Sequence, residues 1–165
     1  MKVCIVDYDG TLFNTEERKR EAMKTGKFDW GVWKDPKWMR TDTPSWVLGA
    51  IRHLKEVEGY VIVLFSGRGD TNKPITIEML EKYDAPIDHM FMRNDDPSGP
   101  DFKENGNQSP DYEVKTRMWN EELASVGIDQ HDVRIVFDDN PKVIKMWHEL
   151  QDSGFDFELY QLPFS

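Results

Sequence analysis

The sequence predicts an α/β fold, a central parallel sheet flanked by helices, on three observations. Strand-like and helix-like segments alternate along the chain. The run Tyr60 to Phe65 is almost continuously apolar, as in a strand covered on both faces. Three predicted strands end in polar residues suited to chemistry, namely Asp7, Ser66, and Asp138 with Asp139. In open parallel sheets, ligands bind beyond the carboxyl ends of the strands.

The first strand is expected over Lys2 to Asp7. Ser45 to Val57 reads as a helix, with Trp46, Ala50, Ile51, Leu54 and Val57 on one face, Asp42 or Thr43 as its start and Gly59 as its stop. Tyr60 to Phe65 is the second strand, Ile75 to Tyr83 a short helix and His89 to Met92 a short strand. Asp111 to Val126 reads as a helix closed by Gly127, and Val133 to Phe137 as a buried strand. Pro141 to Gln151 has proline in its first turn and Gly154 beyond its end, a helix pattern. Phe155 to Leu162 is a weaker last strand. We expect a single domain over 1–165. A small cap insert at 14–44 and a Pro/Gly/Asn/Asp-rich polar loop at 94–110 fall outside the alternation.

Composition narrows the function. A chain of 165 residues can bury a core without disulfides. Cys4 is the single cysteine, which excludes an internal disulfide and thiolate metal clusters. The opening apolar run, Val3 to Val6, is too short for a signal peptide, and no stretch approaches the roughly 20 apolar residues that span a bilayer. A cytoplasmic protein without a membrane partner is the expectation. The net charge of −10 opposes extended binding to a polynucleotide but leaves a small phosphorylated ligand open.

Four motifs carry the chemistry. Asp7 and Asp9 flank Tyr8 just past the first strand, followed by Gly10 for a tight turn and by Thr11, which can cap or contact phosphate. Such a pair can supply a nucleophile, a general acid and hard-cation ligands, although paired carboxylates also suit a plain turn. Ser66-Gly67-Arg68-Gly69 offers a hydroxyl, a nest of N–H groups and a forked guanidinium for an anion, or an ordinary turn. Lys115 sits near a helix start, where a cation works against the helix dipole. That suggests a role with phosphate, yet a solvated surface lysine is the better reading of this residue alone. Asp111, four residues earlier, could orient it. Asp138 and Asp139 repel each other unless a cation lies between them, and one of this group or Asn140 can cap the next helix.

Together these motifs resemble the haloacid dehalogenase (HAD) superfamily, whose four motifs are matched by Asp7/Asp9, Ser66, Lys115 and Asp138/Asp139. The resemblance covers nearly the whole chain and implies a Rossmann-like HAD core. It implies Asp7 as nucleophile and Asp9 as acid/base. It also implies Mg²⁺ held by Asp7, the Asp9 carbonyl and Asp139, with Asp138 beside it. The segments Val63 to Arg68, Asp111 to Lys115 and Phe137 to Trp147 are similar to the 3′-phosphatase domain of phage polynucleotide kinase/phosphatase. That family uses an arginine eleven residues after the nucleophile, where Arg18 stands, and one in the Ser-Gly-Arg motif, matching Arg68. Gly10, Thr11, Ser66, Gly67 and Lys115 join them as expected phosphate contacts. No Gly-x-x-x-x-Gly-Lys-Ser/Thr loop is present, so no kinase half is expected in this chain.

The implied activity is removal of 3′-phosphates from nucleic-acid ends or nucleotides. A nucleotidase acting on free nucleoside monophosphates is the alternative, and a non-catalytic phosphate-binding module a third. Asn14 to Ser45 carries eight Lys/Arg and six Asp/Glu, a net +2 that leaves −12 on the rest of the chain. Phe28, Trp30, Trp33 and Trp38 lie among these cations. Such rings can stack a nucleobase or only pack the insert onto the core.

Overall fold

The computed structural model of the protein describes residues 1–164. After β1 (Val3–Val6) come β2 (Phe13–Asn14), the short helices α1 (Glu16–Ala22), α2 (Trp30–Trp33) and α3 (Pro36–Met39), and β3 (Thr43–Pro44). Next are α4 (Val47–Glu56), β4 (Val61–Gly69), α5 (Lys73–Lys82) and β5 (His89–Arg93). Beyond the polar loop, α6 (Asp111–Arg117) widens into a π turn at Met118–Glu122 and ends as α7 (Leu123–Ser125). The remaining elements are β6 (Val133–Asp138), α8 (Pro141–Asp152) and β7 (Glu158–Gln161).

Five strands form one parallel sheet in the order β5-β4-β1-β6-β7, as the α/β reading expects. Alternation along each strand divides the core in two. Cys4, Val6, Ile62 and Leu64 face Ile51 and Leu54 of α4 and Met79 and Leu80 of α5. Val3, Ile5, Val63 and Phe65 face Val114 of α6 and Val143, Ile144 and Trp147 of α8. Burial on both faces is why these strands read as unbroken apolar runs. β1 lies at the centre, and the chain moves first to one side of it and later to the other, which opens a crevice at its carboxyl end.

Several boundaries differ from the expectation. α4 starts at Val47 rather than Ser45, because the Ser45 hydroxyl accepts the Val47 N–H at 3.1 Å. Its buried face is therefore Val47, Leu48, Ile51 and Leu54, while Trp46 and Val57 are 64% and 70% exposed. Asp42 is not the start of this helix; it is buried in an ion pair. β4 continues to Gly69 through an irregular register, so Ser66 to Gly69 is the bulged end of a strand rather than a turn past it. The long helix predicted from Asp111 is interrupted by the π turn.

The insert is closed at its base by the antiparallel pairs Phe13–Pro44 and Asn14–Thr43. Asp29 and Asp35 cap α2 and α3 through their carboxylates. The polar loop is anchored at Asp101, which is fully buried, accepts the Asn94 N–H at 2.7 Å and takes a two-pronged ion pair from Arg117.

The revised face of α4 can be tested by urea unfolding. Ile51→Ala should cost about 2–5 kcal/mol, as a large-to-small change in a packed core. Trp46→Ala should stay within about 1 kcal/mol, as a change at an exposed position. Comparable losses at both positions would contradict the assignment.

Candidate active site

The site is built where β1 and β6 end side by side. Asp7 follows β1, and its N–H donates to the Phe137 carbonyl at 3.1 Å, which continues the ladder. The Asp7 carboxylate is fixed from both sides, with Lys115 Nζ donating to Oδ1 at 2.9 Å and Thr11 Oγ1 to Oδ2 at 3.0 Å. Lys115 also donates to Asp138 Oδ2 at 2.8 Å, the oxygen that accepts the Trp147 indole N–H at 3.2 Å. The other Asp138 oxygen accepts the Asp139 N–H at 2.9 Å. Asn140 caps α8 by accepting the Lys142 N–H, so neither aspartate is needed for that task.

Lys115 is only 2% exposed, which overturns the surface-lysine reading. Burial opposes its charge, but Asp138 and Asp7 outweigh burial and hold its pKa above the ordinary lysine range. Asp111 does not orient it. Asp111 instead pairs with Arg93 at 2.6 Å, because the end of β5 brings that arginine to the start of α6.

Gly10 is required twice over. Its φ is +77°, and a Cβ there would lie 2.2 Å from Asp139 Oδ2. Gly67 is confined by contact alone, since a Cβ would meet the Asp111 carboxylate at 2.5 Å. Arg93 holds this junction, donating to the Gly67 carbonyl at 2.9 Å and to the Ser109 carbonyl at 2.6 Å. The Ser66 hydroxyl accepts the Arg68 N–H at 3.1 Å and shapes the bulge.

A second charge network surrounds Asp9. Arg18 from the cap donates to Asp9 and to both oxygens of Asp42, at 3.3 and 3.1 Å for the latter. Arg68 from β4 donates to Asp9 at 2.7 Å and to Thr76 Oγ1 at 3.0 Å. Each guanidinium lies 4.1 Å from a ring centroid, Arg18 over Trp33 and Arg68 over Tyr8. Burial favours a neutral Asp9, but Arg68 and Arg18 outweigh it and hold the carboxyl below the usual range. Burial pushes Asp42 up to about 7, with Arg18 opposing the rise and Asp9 adding to it.

Asp7, Asp9, Arg18, Arg68, Lys115 and Asp139 line one cavity of about 450 Å³, together with Gly10 and Gly67. Thr11 and Ser66 stand behind this surface, fully buried, and shape it through Asp7 and Arg68. Asp7, Asp138 and Asp139 each bring a carboxylate oxygen within 4.8 Å of the others. Burial raises the Asp7 pKa well above the usual range despite Lys115, and burial with Asp138 raises Asp139 to about 6. Three buried carboxyls against one ammonium suit a hard divalent cation, and Mg²⁺ fits this oxygen set.

Two contributors escaped the sequence reading of the site. Asp42 meets Arg18 across 24 positions, and no local pattern reveals that pairing. Arg93 did leave a signal, as an arginine directly after the apolar strand His89 to Met92.

The family model described as the polynucleotide kinase PNKP phosphatase domain matches residues 1–156. A protein of Autographa californica nuclear polyhedrosis virus named "Putative bifunctional polynucleotide kinase/RNA ligase" is 30% identical over 106 residues, 64% of this chain. The chain spans 13% of that relative's length. Among solved structures, a chain of the Pnkp1/Rnl/Hen1 RNA repair complex superposes with a TM-score of 0.68 at 20% identity, over 99% of this chain and 43% of that one. A substrate-bound phosphoserine phosphatase gives a TM-score of 0.57 at 20% identity, over 90% of this chain and 83% of that one. At these identities the structural matches show the shared fold alone.

The raised pKa of Asp42 has a defined sign. The folded protein binds this proton more tightly than the unfolded chain, so the contribution of Asp42 to stability falls as pH rises from about 4 to about 7. Urea unfolding near pH 4.5 and near pH 7.5 should show Asp42→Asn gaining on the wild type as pH rises. A constant or narrowing difference in the other direction would refute the raised value.

Proposed function

For a chain that belongs to the family of polynucleotide kinase PNKP phosphatase domains, and is thus a HAD phosphatase, we propose removal of 3′-phosphates from nucleic-acid ends or nucleotides through an aspartyl-phosphate on Asp7. The observation that carries the reading is the Asp7 carboxylate, pinned by Lys115 and Thr11 on the lining of a cavity that Arg18 and Arg68 also line.

In the first step an Asp7 oxygen attacks phosphorus and the bond from phosphorus to the sugar oxygen breaks. Asp9, protonated from solvent once Arg18 and Arg68 shift onto the phosphate, gives that proton to the leaving oxygen. In the second, water attacks the phosphorus, Asp9 takes a proton from it, and the bond to Asp7 breaks to release inorganic phosphate. Lys115 neutralises charge on Asp7 as phosphate arrives. Arg18 and Arg68 now occupy the Asp9 carboxylate. A phosphate dianion competes for both guanidinium groups, and their transfer to it frees Asp9 to carry a proton. Asp7, the Asp9 carbonyl and Asp139, with Asp138 beside them, would hold Mg²⁺, which would supply charge neutralisation at the phosphoryl oxygens.

The net charge of −10 favours a second reading, a nucleotidase for free nucleoside monophosphates. The two separate on substrates. Phosphate release from a 3′-phosphorylated oligonucleotide should exceed that from 5′-mononucleotides, and turnover confined to mononucleotides would support the nucleotidase instead. Asp7→Asn should lower release by about 10⁴-fold or more, as for other nucleophile losses. Undiminished activity in that variant would remove Asp7 from its assigned role. Chelation should stop release and added Mg²⁺ restore it; turnover indifferent to chelator would contradict the metal assignment.

A further inference from the structure

The aromatic residues of the insert do not share one task. Phe28 and Trp33 are half-buried and pack together with centroids 5.7 Å apart, and the Trp33 ring also carries the Arg18 guanidinium. Those two rings pack the insert and hold the arginine. Trp30 is different. It is 62% exposed, meets Phe28 edge-on with centroids 4.6 Å apart, and otherwise has the Lys34 ammonium 5.8 Å from its ring. Most of its indole surface therefore stabilises nothing within the described residues.

The backbone that carries the ring is nonetheless held in place. α2 is a single turn, and the Asp29 carboxylate caps it by accepting the Gly31 and Val32 N–H groups at 2.9 and 3.2 Å. Phe28 and Trp30 line the same cavity as Asp7 and Lys115, and Lys19 and Lys34 line it with them. That cavity, about 450 Å³, falls in the range of sites for whole small molecules and exceeds what a phosphate group fills. An exposed, anchored aromatic ring flanked by cations on the wall of a phosphate site matches a nucleobase followed by its backbone phosphate.

Resting on the phosphatase reading above, we propose that Trp30, backed edge-on by Phe28, forms a shelf on which the base of the nucleotide bearing the scissile phosphate stacks, with Lys19 and Lys34 facing the neighbouring phosphodiester. A stacking shelf reads a π face rather than hydrogen-bond edges, so it accepts any of the bases. It also requires the terminal base to be free of its own helix, so single-stranded or frayed ends are preferred to blunt duplex ends.

The test compares kcat/KM for a 3′-phosphorylated single-stranded oligonucleotide with that for glycerol 2-phosphate, which has no base. Trp30→Ala should shrink the wild-type preference for the oligonucleotide by about 5- to 150-fold, the loss of one base–aromatic contact. Trp30→Phe should recover much of that preference, and Trp30→Leu should not, which separates stacking from simple apolar contact. Trp30 is exposed enough that these changes leave folding intact. A preference unchanged in Trp30→Ala would overturn the shelf while leaving the phosphatase reading standing. Wild-type protein that releases phosphate from glycerol phosphate but from no nucleotide would overturn the nucleic-acid reading and the shelf with it.

Discussion

The rest of the site depends on one buried ammonium. Lys115 reaches from α6 into the seam between β1 and β6 and joins Asp7 to Asp138 at 2.9 and 2.8 Å. Two carboxylates at adjacent strand ends would otherwise repel in a setting with little water to screen them. The lysine makes their proximity tolerable and holds the oxygen of Asp7 in one orientation. Removing either partner would leave a buried charge without compensation, so the helix, the central strand and its neighbour are tied electrostatically as well as by packing. Asp139 is left on the cavity side with less compensation, and burial with the neighbouring Asp138 raises its pKa.

The Asp9 network plays a comparable part between the cap and the core. Arg18 and Asp42 come from the insert, Arg68 and Asp9 from the core, and the four side chains form alternating charges. Arg18, Asp42 and Arg68 are almost completely withdrawn from solvent, so the pairs that join cap to core, Arg18–Asp9 and Arg68–Asp42, are largely desolvated rather than surface ion pairs. The exposed Arg40–Glu78 pair between α3 and α5 contributes far less to that closure.

Much of this was legible because the chemistry lies at strand ends. Asp7, Ser66, Asp138 and Asp139 each follow an apolar run that could be read directly, and topology then brought them to one sheet edge. What could not be read depended on distant pairing. Nothing near Lys115 in sequence announces that it is buried, because its partners are 108 and 23 positions away. Asp42 looked like a helix cap because acidic residues before an apolar stretch usually are, and a buried arginine claimed it instead. The face of α4 was misjudged because Ser45, not Asp42, sets the first turn, which leaves Trp46 outside the helix proper and in solvent. Periodicity fixes that a helix exists more firmly than it fixes the angle at which it docks.

The narrow stem of the insert has a further consequence. Its two ends leave the core as neighbours, paired at Phe13–Pro44 and Asn14–Thr43, so the segment between them starts and ends at one point of the fold. Such a hairpin is a natural graft point. The graft is not neutral here, because Arg18 and Asp42 travel with it while Asp9 stays behind. A cap exchanged for one lacking that arginine and aspartate would leave Asp9 with Arg68 alone. The insert and the charge balance around Asp9 are thereby inherited as one unit, and a chimera that keeps the core motifs intact would still lose that network.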